Sequence, residues 1–249
     1  MKRRNPSWRT WLIPALLAAS AVTFGLHYWI FRDAHHIFLY LIGDIAFLFI
    51  NVLVVTLFIE RLLSQREKQA LMKKLNMVIG TFYSEVGLEL MTRFRRFVPN
   101  AADLCGQLEI RPTWTKKDFQ LASQAARAFP YKIQTDQAAL SDLQTFLGQK
   151  RPFMLQLMEN PNLLEHERFT DLLWAVFHLA EELAFRGDRI GQLPAADYEH
   201  LGQDLKRAYS QIASEWIAYA QHLKESYPFL FSLAARINPF SPNPTAVFG

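Results

Sequence analysis

Cysteine is all but missing. Cys105 stands alone among 249 residues, which excludes an intrachain disulfide and any zinc site built on thiolates. A lone thiol agrees with a reducing cytoplasm, and its expected role is that of a small, half-buried apolar residue. Glycine is scarce, at 10 positions, and forms no phosphate-cradling loop, because Gly80 and Gly87 fall inside a helical pattern with no strand before them. They read instead as points where another helix crosses closely. Strand signals are absent too: no run alternates apolar and polar residues over a useful length, and no hairpin turn separates two such runs. There is no Gly-x-Ser-x-Gly elbow, no His-Glu-x-x-His and no kinase-like set. The chain therefore reads as all-α, with no residue assigned a catalytic role and no cofactor called for.

Nor is there a basic surface to bind nucleic acid. The net charge of +4 is concentrated at the start of the chain. Residues 1–36 carry five Lys/Arg against Asp33, and Asp44 is the one charge between residues 37 and 59, so +1 is left for residues 60–249. Such a balance excludes a phosphate-reading surface.

What the chain has in quantity is uninterrupted apolar sequence at its beginning. Trp11–Phe31 and Ile37–Ile59 are each long enough to cross a hydrocarbon core of about 30 Å at roughly 1.5 Å of rise per residue. The connector, Arg32-Asp33-Ala34-His35-His36, is too short to do more than turn the chain around. Residues 11–59 thus read as a transmembrane hairpin with spans 11–31 and 37–59, preceded by a basic N-terminus, 1–10. Lys2, Arg3, Arg4 and Arg9 precede the first span, and Arg61, Arg66, Lys68, Lys73 and Lys74 follow the second. Lys/Arg-rich flanks stay cytoplasmic, so both termini are expected inside, at the inner membrane of a prokaryotic cell. Lys2, Arg3, Arg4, Arg61, Arg66 and Lys68 are the expected contacts to anionic lipid headgroups. Ala19-Ser20-Ala21 satisfies a signal-peptide cleavage pattern, but the apolar run continues ten residues past it, as an uncleaved anchor would.

The spans carry polar residues. Asp44 lies seven residues into the second span, about 10 Å deep, and His27 and Thr23 lie about 6 and 12 Å from the same end of the first. Ser20, Thr23 and His27 share one helical face, and Asn51 shares that of Asp44. These five form an intramembrane polar seam, which reads either as interhelical packing or as a proton-sensitive site centred on Asp44 and His27. His35 and His36 in the turn read as ordinary polar residues.

From residue 60 onward the pattern is helical. Leu62, Leu63, Leu71, Leu75, Val78, Ile79, Phe82, Val86, Leu90 and Phe94 recur at steps of three and four. They extend the second span into a stalk helix over 60–97, ended by Pro99-Asn100. A short helix spans Ala101–Leu108. Thr115 and Asp118 open another that runs to Phe129. Asp136–Leu147 is helical, with Gly148 and Pro152 expected to interrupt it before a further turn or two over Phe153–Met158. Asn160-Pro161-Asn162 is a turn, Phe169–Phe185 a helix ending at Gly187, and Ala195 to Ser226 the longest helix, with Leu201, Leu205, Tyr209, Ile212, Trp216, Tyr219 and Leu223 on one face. Residues 60–237 make a cytoplasmic multi-helix bundle, and 238–249 a Pro-rich irregular tail, mobile at its end.

One constellation has metal-ligand chemistry. His178 and Glu182 are four apart on one helix, and His200 and Asp204 are four apart on the next. Carboxylate–imidazole pairs on facing helices build metal sites in bundles, although there the Glu comes three residues before the His, the reverse of the order here.

Asn160-Pro161-Asn162-Leu163-Leu164-Glu165-His166, the run Trp174–Glu182, Tyr227-Pro228-Phe229-Leu230-Phe231 and Arg236-Ile237-Asn238-Pro239-Phe240, together with Gly43-Asp44-Ile45-Ala46-Phe47 in the second span, resemble uncharacterised prokaryotic two-span membrane proteins with a cytoplasmic helical domain. The resemblance covers nearly the whole chain and implies no activity. Three readings follow. The chain is a membrane-anchored interaction or accessory protein that recruits a protein partner, with self-association also open to it. Alternatively it is a sensor-transducer coupling Asp44 and His27 to the stalk, or a metal-dependent enzyme using His178, Glu182, His200 and Asp204.

Overall fold

In the computed structural model, which describes residues 8–247, the first helix, α1, spans Trp8–Phe31 and the second, α2, spans Ala34–Phe82. Only Arg32 and Asp33 separate them. Arg32 takes the left-handed conformation (φ 50°), and its N–H donates to the Tyr28 carbonyl at 2.9 Å. The connector is thus shorter than five residues. Ala34, His35 and His36 have no helix-breaking feature, and Asp33 stands at the position where a short polar residue suits a helix start.

The chain divides after Glu67. In the first unit, two helices are long and apolar enough to cross a membrane, and no residue of the most apolar 18-residue window of each is buried. Trp29, Ile42 and Phe49 each keep more than 70% of their surface exposed.

The unit from Lys68 onward is a helical bundle; among the described residues there is no strand. The last part of α2 leads into a π-helical turn, Tyr83–Gly87, then α3 (Leu88–Phe94) and a 3-10 turn, Arg95–Phe97. The regular helix expected up to residue 97 is therefore interrupted. At Gly87 a Cβ would strike the Tyr83 and Phe82 rings of the same helical run, whereas at Gly80 it would strike the Tyr219 hydroxyl of another helix. Only Gly80 marks a helix crossing.

Next come α4 (Ala101–Leu108) and α5 (Lys116–Ala128), the latter opened as expected by Thr115, whose N–H and hydroxyl both donate to the Asp118 carboxylate at 2.7 Å. Those two bonds hold the Asp118 carboxyl below the ordinary range. α6 (Gln137–Met158) runs unbroken through Gly148 and Pro152, because Phe146 and Leu147 before the Pro and Met154 after it are all buried on the same bundle. A 3-10 turn, Pro161–Glu165, leads to α7 (Glu167–Arg186), which ends at Gly187 with φ at 52°. A further 3-10 turn, Gly187–Gln192, precedes α8 (Ala195–Ser226), and α9 spans Pro228–Arg236.

Helix α8 is the centre of the bundle and packs against α3, α5, α7 and α9, with α6 laid on α7 and α4 on α5. Of the seven α8 residues assigned to one face, all but the half-buried Tyr219 are buried. The Trp216 ring packs on Tyr83 at 5.0 Å, and the Tyr83 hydroxyl donates to the Ile212 carbonyl at 2.9 Å. Burial pushes the Tyr83 hydroxyl well above its ordinary pKa. The start of the Pro-rich tail is part of this core: Asn238 and Phe240 are buried. Asn238 accepts from Trp216 Nε1 at 2.9 Å and donates to the Leu108 carbonyl at 2.8 Å. A buried amide with partners on both sides supplies the reason this segment is ordered.

Candidate functional site

Helix α7 turns Phe169, Leu172, Leu173, Val176, Leu179, Ala180 and Leu183 into the core, and α8 turns Leu201, Leu205, Ala208 and Ile212 the same way. At helical spacing this leaves His178 and Glu182 on the flank of α7, and His200 and Asp204 on the flank of α8. The packing of α7 on α8 brings the four together. Asp204 is 97% buried, and its Oδ2 lies 3.5 Å from His178 Nε2 and 3.4 Å from His200 Nε2. Glu182 sits across from it, with Oε1 3.9 Å from His178 Nε2 and Oε2 3.7 Å from His200 Nε2. The ligand atoms of His178, Glu182 and His200 all lie within 4.8 Å of one another. Both imidazoles are about half exposed, so the cluster opens to solvent on one side.

Guanidinium groups hold the carboxylates from behind. Arg186 donates to Glu182 and, at 2.9 Å, to Asp197, while Arg207 lies 3.3 Å from Asp204 Oδ1. The Arg186 hydrogen bond holds the Glu182 carboxyl below the usual carboxylate range. Asp204 Oδ2, by contrast, is buried and has no hydrogen-bond partner.

A second buried carboxylate on α8 has a different environment. Glu215 is also 97% buried, but Arg168 of α7 reaches its Oε1 at 2.5 Å and Arg127 of α5 at 3.3 Å. The adjacent Ser214 hydroxyl contacts Ser123 at 2.8 Å and accepts from Arg127 at 2.9 Å and Arg168 at 3.1 Å. This network ties three helices together and is satisfied. The sequence gives little sign of it, since its members come from three helices whose packing alone brings them together.

In the first unit, Thr23, His27 and Asp44 line one cleft of about 320 Å³ with Phe24, Ile37, Tyr40 and Leu41. The His27 ring packs on Phe31 at 4.8 Å, and its Nδ1 is buried without a hydrogen-bond partner. The Thr23 hydroxyl donates back to the Ala19 carbonyl at 2.8 Å. Ser20 and Asn51 are exposed and are not among the cleft-lining residues. Arg61, Arg66 and Lys68 are exposed, and Lys2, Arg3 and Arg4 lie outside the described residues.

A further groove, of about 460 Å³, was not anticipated. Met77, Gly80, Tyr219, Leu223, Phe229 and Leu230 are among its lining residues, and Phe229 leaves 73% of its surface exposed. His222 also lines it, and burial lowers the pKa of that imidazole.

Among known proteins, residues 71–236 match the family described as "Uncharacterized protein MJ1433, C-terminal helical domain", and residues 2–63 match "MJ1433, N-terminal helical domain". The chain is 39% identical over 225 residues to "Uncharacterized protein MJ1433" of Methanocaldococcus jannaschii, an alignment that covers 90% of each. No solved structure matches.

Proposed function

The chain belongs to the MJ1433 family, and we propose that it is a membrane-anchored helical accessory protein. In this reading α1 and the apolar first part of α2 cross the bilayer as a hairpin, both termini face the cytoplasm, and the bundle from Lys68 onward is offered to a protein partner. The observation that carries the reading is that the apolar windows of both helices bury none of their residues. Each large apolar side chain left in water forgoes roughly 1.5–3 kcal/mol, and a bilayer recovers that sum. Basic residues on the outer flanks of the pair favour the proposed orientation. The groove beside α9, with Met77, Phe229 and Leu230 exposed on it, supports a partner surface of apolar character.

Two measurements test the anchor and its orientation. The full chain should stay with membranes through an alkaline wash. In a Cys105→Ser background, a membrane-impermeant maleimide should label His35→Cys on intact cells and Thr245→Cys only after permeabilisation. Recovery of the full chain in the soluble fraction contradicts the anchor.

The cleft shared by His27 and Asp44 favours a second reading, in which the hairpin senses protons and α2 carries the response. Crosslinking of full-length chains between about pH 5 and 8 should then change with pH, and Asp44→Asn should abolish that change. A pH response that survives Asp44→Asn removes the basis of this reading.

A further inference from the structure

We propose that His178, Glu182, His200 and Asp204 bind one divalent transition-metal ion that links α7 to α8. The distances argue for it. Hydrogen bonds to a ring nitrogen run near 2.9–3.0 Å, yet His178 Nε2 and His200 Nε2 stand 3.5 and 3.4 Å from the same Asp204 oxygen. Ligands about 2.1 Å from a tetrahedral centre lie about 3.4 Å from one another. Glu182 stands 3.9 Å from His178 through Oε1 and 3.7 Å from His200 through Oε2, and the ligand atoms of His178, Glu182 and His200 all lie within 4.8 Å of one another.

Asp204 Oδ2 is the second, independent observation. An unpartnered carboxylate oxygen inside a protein is costly, and 3% exposure leaves Asp204 little water. On the same helix, Glu215 shows that this fold satisfies a buried carboxylate with two arginines when nothing else is to be bound. Asp204 instead gives Oδ1 to Arg207 and aims Oδ2 at two imidazole nitrogens. Arg186 occupies Glu182 in the same way and leaves lone pairs of that carboxylate toward the cluster. Three carboxylates, Glu182, Asp197 and Asp204, face two guanidiniums, Arg186 and Arg207, so the cluster holds one more carboxylate than guanidinium.

Two imidazoles and two carboxylates form a nitrogen–oxygen set of intermediate softness. It suits Zn²⁺ and its divalent first-row neighbours and disfavours Mg²⁺ and Ca²⁺, which take all-oxygen shells of six or more ligands. The arginines take the place of the hydrogen-bond partners that usually orient metal ligands. One ion held by residues from two helices stabilises the folded bundle, because the unfolded chain has no such site.

The test uses the full chain in detergent, stripped with a chelator and titrated with ZnCl₂ by calorimetry, alongside thermal unfolding. The wild type should take up one Zn²⁺ per chain and unfold at a higher temperature with zinc, and MgCl₂ should do neither. Because both imidazoles are half exposed, the His178→Ala, His200→Ala double variant leaves the core intact. It should bind zinc at least ~100-fold more weakly and lose the thermal shift. His200→Gln alone should fall between. A control carrying His35→Ala and His36→Ala should bind as the wild type does. Equal zinc uptake by wild type and double variant, or loss of uptake in the control, overturns the proposal and leaves an ion-pair network.

Discussion

Two buried carboxylates on α8, one saturated and one not, separate structure from site at the scale of single residues. Glu215 meets Arg127 and Arg168, whereas Asp204 keeps one oxygen for two imidazoles. Asn238 is the neutral counterpart, an amide buried between Trp216 Nε1 and the Leu108 carbonyl. Asn238→Ala leaves both of those groups unpaired in the core, so urea unfolding of the full chain followed by tryptophan fluorescence should show a loss of about 2 to 4 kcal/mol. A loss under half that would mean that water replaces the amide. The i,i+4 spacing of His178 with Glu182 and of His200 with Asp204 is visible in the sequence, because a helix turns such pairs onto one face. That the two faces meet is not, since it depends on how α7 and α8 pack. Asn238 was hidden for a different reason: amid three prolines it looked like tail, and only the position of Trp216 shows what it bonds.

Elements follow the sequence closely where a single local cause sets their ends. The Thr115–Asp118 pair opens α5, and α4 and α8 begin and end where Asn100, Pro194 and the apolar period place them. They depart where burial outweighs a local signal. α6 passes through Gly148 and Pro152 because its apolar residues on both sides reach one core. Pro152 cannot donate to the Gly148 carbonyl, and Gly148 adds backbone freedom to the unfolded chain. No atom lies within 4 Å of a Cβ built at Gly148, and the residue is exposed. Gly148→Ala should therefore stabilise the bundle by about 0.5–1 kcal/mol, read as a higher unfolding midpoint. A lower midpoint would show that α6 needs a flexible point there. The π-helical turn at Tyr83–Gly87 had no visible marker. It coincides with the Tyr83 ring packing on Trp216 and Tyr219, contacts more than 130 residues away in sequence.

For the whole molecule, the apolar start of the chain and its flanking basic residues account for most of the net charge, and the bundle is organised around α8. The all-α class was legible from helical periodicity and missing strand signals. The groove proposed as a partner surface was not, because it forms only when Met77, Tyr219 and Phe229 are brought together from three helices. Anchoring by the hairpin with both termini in the cytoplasm is the central claim, and labelling at residue 35 tests it most directly. In a Cys105→Ser chain on intact cells, His35→Cys should react with an impermeant maleimide while Thr245→Cys stays protected until the membrane is opened. Protection of residue 35 with labelling of residue 245, or labelling of both without permeabilisation, would contradict it.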